Sequence, residues 1–257
     1  MNDSTATSDR LEQTGSSAAL EARGVSVRFD GLTAIEGLSI ALEPNEVLGL
    51  IGPNGAGKTT LVNVLTGFER PSEGRVLLAG ADITRWPPHR RGRAGLARTF
   101  QGVRLFRALS VIENMEAAAV GSGLARQAAE RRATAILCWM GLAHKAFDPA
   151  DTLPYGEERL VGIGRALAMA PRFLLLDEPA AGLSDAECDE LMRLIARIPA
   201  EHDCGVLLIE HNMRVVMGVS RRIHVIASGR TIALGTPAEI QRDAGVIAAY
   251  LGTSTAA

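Results

Sequence analysis

The most restrictive stretch of this sequence runs from Glu46 to Leu65. Glu46 to Ile51 is a nearly continuous apolar run that enters a glycine-rich turn, and Leu61, Val62, Val64 and Leu65 then follow at helical spacing. The order is strand, loop, helix. The loop, Gly52-Pro53-Asn54-Gly55-Ala56-Gly57-Lys58-Thr59, satisfies GxxxxGK(S/T) in the strand-to-helix context that phosphate binding requires. Glycines let the backbone wrap closely enough for successive N–H groups to point at a β-phosphate, and the helix starting near Lys58 adds its positive end. On this reading Gly52, Asn54, Gly55, Ala56 and Gly57 line a triphosphate. Lys58 neutralises the β- and γ-phosphates, Thr59 ligates magnesium and Thr60 reaches the α-phosphate. Lys58 is one of only two lysines, the other being Lys145, against 25 arginines, so its place in the motif is not a random draw from the cations.

A second run, Phe173 to Leu176, ends in Asp177-Glu178, which puts two carboxylates at the C-terminal edge of a strand beside the phosphate loop. Asp177 would hold magnesium through water, and Glu178 would polarise an attacking water. Taken alone, such an acid pair can also be a negative charge at a helix N-terminus. Gly205 to Ile209 and Ile223 to Ala227 are further short apolar runs separated by helical stretches, the pattern of buried parallel strands with crossover helices. Val25, Val27 and Phe29 alternate, as do Leu38, Ile40 and Leu42, which predicts two half-buried antiparallel strands. Between about Phe106 and Pro149 the chain is rich in Ala, Glu and Arg with no strand-like run, as expected of an inserted helical part. The fold class is therefore α/β: a phosphate-loop (RecA-like) parallel-sheet core with an antiparallel β-subdomain and an inserted helical subdomain.

With 257 residues, 47% hydrophobic and 22% charged, the chain can bury a sizeable core. No apolar run reaches the 18 residues of a membrane helix. The net charge of -2 gives no overall basic field for nucleic acid. Cys138, Cys188 and Cys204 are odd in number and never paired as CxxC, which signals neither a disulfide framework nor a zinc site and fits a reducing cytoplasm. Residues 1–17 read as a disordered tail without a secretory signal, and 253–257 as a flexible one.

Further elements occur in one order from Phe29 to His211, and with them the chain resembles the ATP-binding cassette (ABC) family over nearly its whole length after residue 20. Leu153-Pro154-Tyr155-Gly156-Glu157 looks like the family signature. Gln101 matches the Q-loop, Ala181-Gly182-Leu183-Ser184 the D-loop and His211 the switch histidine, while Phe29 lies where the family stacks an aromatic on adenine. The resemblance implies a single ABC ATPase domain over 18–252, with the helical subdomain at about 102–156. It also implies a head-to-tail dimer in which Tyr155, Gly156 and Glu157 cap the ATP bound to the other subunit. In that arrangement His211 contacts the γ-phosphate, and Gln101 senses the magnesium and links the site to the helical subdomain. Two positions depart from the pattern. Pro154 stands where serine is usual, removing a hydroxyl and an N–H, and Ser184 replaces a more common acid.

Asp82-Ile83-Thr84, Pro87-Pro88-His89-Arg90, Ala97-Arg98-Thr99-Phe100-Gln101, Val111-Ile112-Glu113-Asn114 and the ending Ala248-Ala249-Tyr250-Leu251-Gly252 are similar to importers of the branched-chain amino acid type. Related branches that import urea, short amides or aromatic acids stay open, as does a soluble ABC ATPase without a membrane partner. The resemblance implies membrane permease subunits, a substrate-binding protein and a second ATPase subunit, identical or different, as partners, on the inner face of the cell membrane. A phosphate-loop kinase would not need the signature. Arg85, Arg90, Arg91, Arg93 and Arg98 read first as a solvated face, with membrane phosphates, an acidic partner or nucleic acid as the other readings. Nucleic-acid binding is disfavoured, because the chain has neither a second cassette nor a long coiled-coil insertion.

Overall fold

The computed structural model describes residues 18–29 and 31–251; the two expected tails, and the expected domain end at residue 252, lie outside the described residues. Strands β1 (Leu20–Phe29) and β2 (Leu32–Leu42) pair antiparallel, with Val25 opposite Leu38 and Val27 opposite Ile35. Val25 and Val27 face the core as their alternation predicts. The period breaks at Ser26, which is also buried and whose hydroxyl accepts the Gly37 N–H at 3.0 Å beside irregularities in the ladder. Strands β4 (Glu73–Leu78) and β5 (Ala81–Asp82) complete a four-stranded sheet in the order β2-β1-β4-β5.

The second sheet runs β10-β9-β3-β8-β7-β6. Strands β3 (Val47–Ile51), β6 (Leu96–Arg98), β7 (Phe173–Asp177), β8 (Gly205–Ile209) and β9 (Arg222–Ala227) are parallel, and β10 (Arg230–Gly235) closes one edge antiparallel to β9. Every residue of β3, β7 and β8 is buried, which explains their unbroken apolar runs: both faces of the sheet are covered. Each buried Leu or Ile contributes about 1.5–3 kcal/mol relative to exposure. Helix α1 (Lys58–Thr66) follows β3 and packs Leu61, Val62, Val64 and Leu65 into a core shared by the two sheets.

Helix α2 (Pro88–Arg93) is short and starts on a proline pair. It changes the reading of the basic stretch. Arg91 is 1% exposed and donates to the carbonyls of Val64 and Leu65, both at 2.6 Å, and of Trp86 and Thr84, both at 3.0 Å, so it closes the C-terminal end of α1. Arg98 is buried beside Asp177. The expectation of a solvated face therefore fails for two of the five arginines, because backbone carbonyls and a carboxylate supply the partners that water would otherwise provide.

Helices α3 (Val111–Gly121) and α4 (Arg126–Met140) form the helical part, and α5 (Tyr155–Ala168) packs on both. Gly164 lies at that contact, where a Cβ would meet the flexible ends of Met115 and Met140, Cε and Sδ, at 2.6 Å. Ser110 opens α3 with a reciprocal capping box to Glu113. The remaining helices are α6 (Asp185–His202), α7 (Met213–Val219), α8 (Pro237–Ile240) and α9 (Ala244–Leu251). Asn212 caps α7, and Trp86 and Trp139 pack against core clusters. No described helix is long and apolar enough to cross a membrane.

Candidate functional site

The phosphate loop leaves the end of β3, which lies inside the sheet between β9 and β8. Its shape depends on close approaches that side chains would prevent. A Cβ on Gly52 would lie 2.0 Å from the Ile226 carbonyl, and Gly57, at φ 102°, would bring one within 2.8 Å of the Ala34 carbonyl. The β9–β10 turn braces the loop from behind: the Gly229 N–H donates to the Ala56 carbonyl at 3.0 Å, and the Gly229 carbonyl accepts the Glu36 N–H at 3.0 Å. Tyr250 of α9 is hydrogen-bonded to the Gly52 backbone, and burial holds its phenol above the ordinary range.

Gly57 provides no side-chain cap, so the first N–H groups of α1 are left for the cleft. Asn54, Gly55, Ala56, Gly57, Lys58, Thr59, Thr60, Glu178 and His211 line that cleft, together with Leu32, Thr33, Ala34 and Ser228. The Lys58 ammonium folds back on the carbonyls of Gly52 at 2.7 Å and Pro53 at 3.0 Å. Burial lowers its pKa, against the charges of Glu178 and Asp177, which raise it. An uncapped helix end, glycine-rich amides and an ammonium form a donor set suited to phosphate oxygens.

Asp177 closes β7. Its carboxylate accepts Arg98 Nη2 at 2.8 Å, and Arg98 Nη1 also donates to Asn63 Oδ1 at 2.7 Å, tying the strand end to α1. The next residue, Glu178, has φ 49°, a strained setting for a side chain of this kind, and its N–H is held by the Ile209 carbonyl at 2.9 Å. One Glu178 oxygen accepts Gln101 Nε2 at 2.7 Å and the other lies 3.0 Å from His211 Nε2. The structure thus joins Gln101, Glu178 and His211, which are far apart in sequence, on one carboxylate at the mouth of the phosphate loop. A carboxylate so placed can take a proton from water, and the donors around it can orient that water.

Arg98, which holds the Asp177 carboxylate, is the residue that sequence reasoning missed. Nothing in the chain sets Arg98 apart from the other arginines of its stretch.

One expected nucleotide contact lies outside the cleft. Phe29 ends β1, 44% exposed, and is not among the residues lining the cleft. Tyr155, Gly156 and Glu157, expected at the ATP of a second subunit, do not line their own chain's cleft. Instead the Tyr155 hydroxyl donates to the Ala181 carbonyl at 3.1 Å, with the Arg159 guanidinium 5.0 Å from the Tyr155 ring centroid, and Glu157 is ion-paired with Lys145 at 3.2 Å. Pro154 occupies the N-cap of α5, where its carbonyl accepts the Glu158 N–H. Ser184 has a local reason: its hydroxyl caps α6 in a reciprocal box with Glu187.

The family model for ABC transporter matches residues 35–181, and that for the branched-chain amino acid ATP-binding cassette transporter matches residues 230–256. The first spans the phosphate loop, the carboxylate pair and the signature in one run. The chain belongs to the ABC transporter family. The high-affinity branched-chain amino acid transport ATP-binding protein LivG of Escherichia coli (strain K12) is 43% identical over 248 residues, covering 91% of this chain and 97% of LivG. The lipopolysaccharide export system ATP-binding protein LptB of the same organism is 35% identical over 236 residues, covering 91% and 98%. Among solved structures, an ATP-binding cassette of an ABC transporter in its ADP conformation superposes with a TM-score of 0.83 at 29% identity, covering 91% of this chain and 98% of that one. This ABC transporter subunit is an ATP-binding, ATP-hydrolysing component with the RecA-like ABC fold.

Proposed function

We propose that this ABC ATPase powers uptake of branched-chain amino acids, with ATP held on the phosphate loop and its hydrolysis promoted by Glu178. The convergence of His211 and Gln101 on Glu178 supports the chemical part. Lys58 and the N–H groups of Gly55 to Thr60 bind the phosphates, and Phe29, exposed at the end of β1 outside the phosphate cleft, is the aromatic that would stack on the base. Glu178 accepts a proton from the attacking water as its oxygen bonds to the γ-phosphorus and the bond from that phosphorus to the bridging oxygen of the leaving ADP breaks, and His211 orients that water. The donor set also fits magnesium: Thr59 offers a hard hydroxyl oxygen, Asp177, paired with Arg98, would hold the ion through water, and Gln101 lies near Glu178, while this ion usually keeps waters and substrate phosphates as its other ligands. Magnesium, when bound, would neutralise charge on the phosphate oxygens.

Because Tyr155, Gly156 and Glu157 do not line their own chain's cleft, the full site is a head-to-tail dimer in which they cap a second subunit's ATP. That subunit is a copy of this chain or a paralogue. The partners are membrane permeases and a substrate-binding protein, with this subunit peripheral on the cytoplasmic face. A groove lined by Phe100, Val103, Arg104, Gly162 and Arg165, between the Gln101 segment and α5, takes up a permease helix.

The cargo reading is supported by the 230–256 match and by the 43% identity to LivG against 35% to LptB. It is tested by uptake of labelled leucine in source cells lacking the gene, complemented with the wild type or with Glu178→Gln. Restoration by the wild type alone is expected. Unchanged uptake on deletion, with purified protein still hydrolysing ATP, would sink the cargo and leave the ATPase assignment standing.

A further inference from the structure

Glu210 lies between the last residue of β8 and His211, and the scheme above gives it no part. The residue is 4% exposed. One carboxylate oxygen accepts the Ala180 N–H at 2.6 Å; the other accepts the N–H groups of His211 at 3.1 Å and Asn212 at 3.3 Å. Burial holds the carboxyl above its ordinary range, the three N–H groups pull the other way, and the charge of Glu178 adds to the rise. A buried carboxylate without a cation costs more than an apolar residue of the same volume. Here the cost is met by backbone donors from two separate loops, and those loops carry Glu178 and His211.

We propose that Glu210 is a positioning residue for ATP hydrolysis: by bridging the Ala180 N–H to those of His211 and Asn212, it fixes the spacing of the two loops and holds the His211 imidazole against Glu178. The proposal rests on the assignment of Glu178 and His211 given above. The bridge acts where the backbone is under strain. Glu178 sits at φ 49° with its own N–H on Ile209, and Ala180 is the next point at which the loop is tied, here to the Glu210 side chain just past β8. Ala181 follows directly and accepts from Tyr155, so the same anchor reaches the start of α5. His211 is exposed on its outer side, and its backbone N–H is held from below only by Glu210 among the described contacts. Without the bridge, the 3.0 Å approach of His211 to Glu178 would depend on two loops moving independently.

The test uses the full chain with Glu210→Gln, which keeps the size but replaces one acceptor oxygen with a donor facing an N–H. Hydrogen–deuterium exchange should quicken by about 10-fold or more in peptides covering both 179–183 and 211–214. Turnover should fall about 10- to 100-fold while KM for ATP and the affinity for magnesium–ATPγS stay within about threefold, since the phosphate loop is untouched. In the Glu210→Gln, His211→Ala double variant, kcat should lie within about threefold of His211→Ala alone, because both changes act through one imidazole. Exchange unchanged in either loop, kcat within threefold of wild type, or losses that multiply in the double variant would each overturn the proposal. Wild-type turnover in Glu178→Gln or His211→Ala would instead overturn the catalytic assignment, and the exchange data would still decide whether the bridge exists. If Glu210→Gln is not recovered folded, Glu210→Asp, which draws both acceptors back by one methylene, goes through the same measurements.

Discussion

Replacing Arg91 by methionine isolates what a buried guanidinium does for this fold. The side chain reaches four backbone carbonyls, and one of them, that of Val64, also accepts the Gly67 N–H. Methionine keeps most of the apolar volume and leaves the carbonyls of Leu65, Thr84 and Trp86 without this donor. At about 1–3 kcal/mol for each unsatisfied group, the loss is about 3–9 kcal/mol. Relief from burying a charge, which already pushes the Arg91 pKa down to about 10, returns part of that. A net destabilisation of about 3 kcal/mol is expected, equivalent to a drop of about 6–12 °C in Tm for a domain of this size. Differential scanning calorimetry on Arg91→Met and Arg91→Lys measures it. The lysine variant should recover less than half the loss, because one ammonium cannot span carbonyls on α1 and on the Thr84–Trp86 turn together. A Tm within 2 °C of wild type for Arg91→Met would refute the reasoning and return Arg91 to the status of an incidental contact.

Gly67 sits at φ 82° where a Cβ would meet Arg91 Nε and the Trp86 carbonyl at 2.8 Å, so Gly67→Ala should cost about 1–3 kcal/mol by urea unfolding, and a neutral result would count against the tight Arg91 seat. His224 is fully buried, with Nε2 on Thr231 Oγ1 at 2.9 Å, and burial, aided by Arg222, lowers its pKa to about 4 from an unfolded value near 6.5. The unfolded chain therefore binds a proton first, and stability should decline by about 2–3 kcal/mol as pH falls from 6.5 to 4. His224→Gln should flatten that part of the stability-against-pH curve, and an unaltered slope would rule His224 out as its source. Pro154→Ser restores a hydroxyl and an N–H at the start of α5, so faster turnover or stronger ATP-driven dimerisation is expected in steady-state and sedimentation assays; no change in either would sink the idea.

Much of the site was legible in the chain because the chemistry is carried by contiguous motifs. Gly52 to Thr60 and Phe173 to Glu178 each combine an apolar strand with the residues it delivers, so local pattern alone set the type of element and the place of the functional group. The contacts of Glu178 were different. Gln101, Glu178 and His211 could be named singly from a resemblance, but their meeting on one carboxylate depends on β6, β7 and β8 lying side by side in the sheet. The same holds for the arginines. Residues 85–98 look alike in sequence, and only packing decided that Arg91 would serve α1 and Arg98 would serve Asp177 while Arg90 lies over the ring of Trp86.

The sequence by itself determined the strand–loop–helix unit, the covered parallel sheet, the inserted helices and the phosphate chemistry, since hydrophobic period and glycine placement act over a few residues and do not need the rest of the molecule. Tertiary structure alone decided which polar groups are satisfied and by whom: the Glu210 bridge, the guanidinium of Arg91 on four carbonyls, and the turn of Gly229 behind the phosphate loop. Those contacts join residues far apart along the chain, and a buried donor or acceptor gains its partner only when the fold brings the partner's strand or helix beside it.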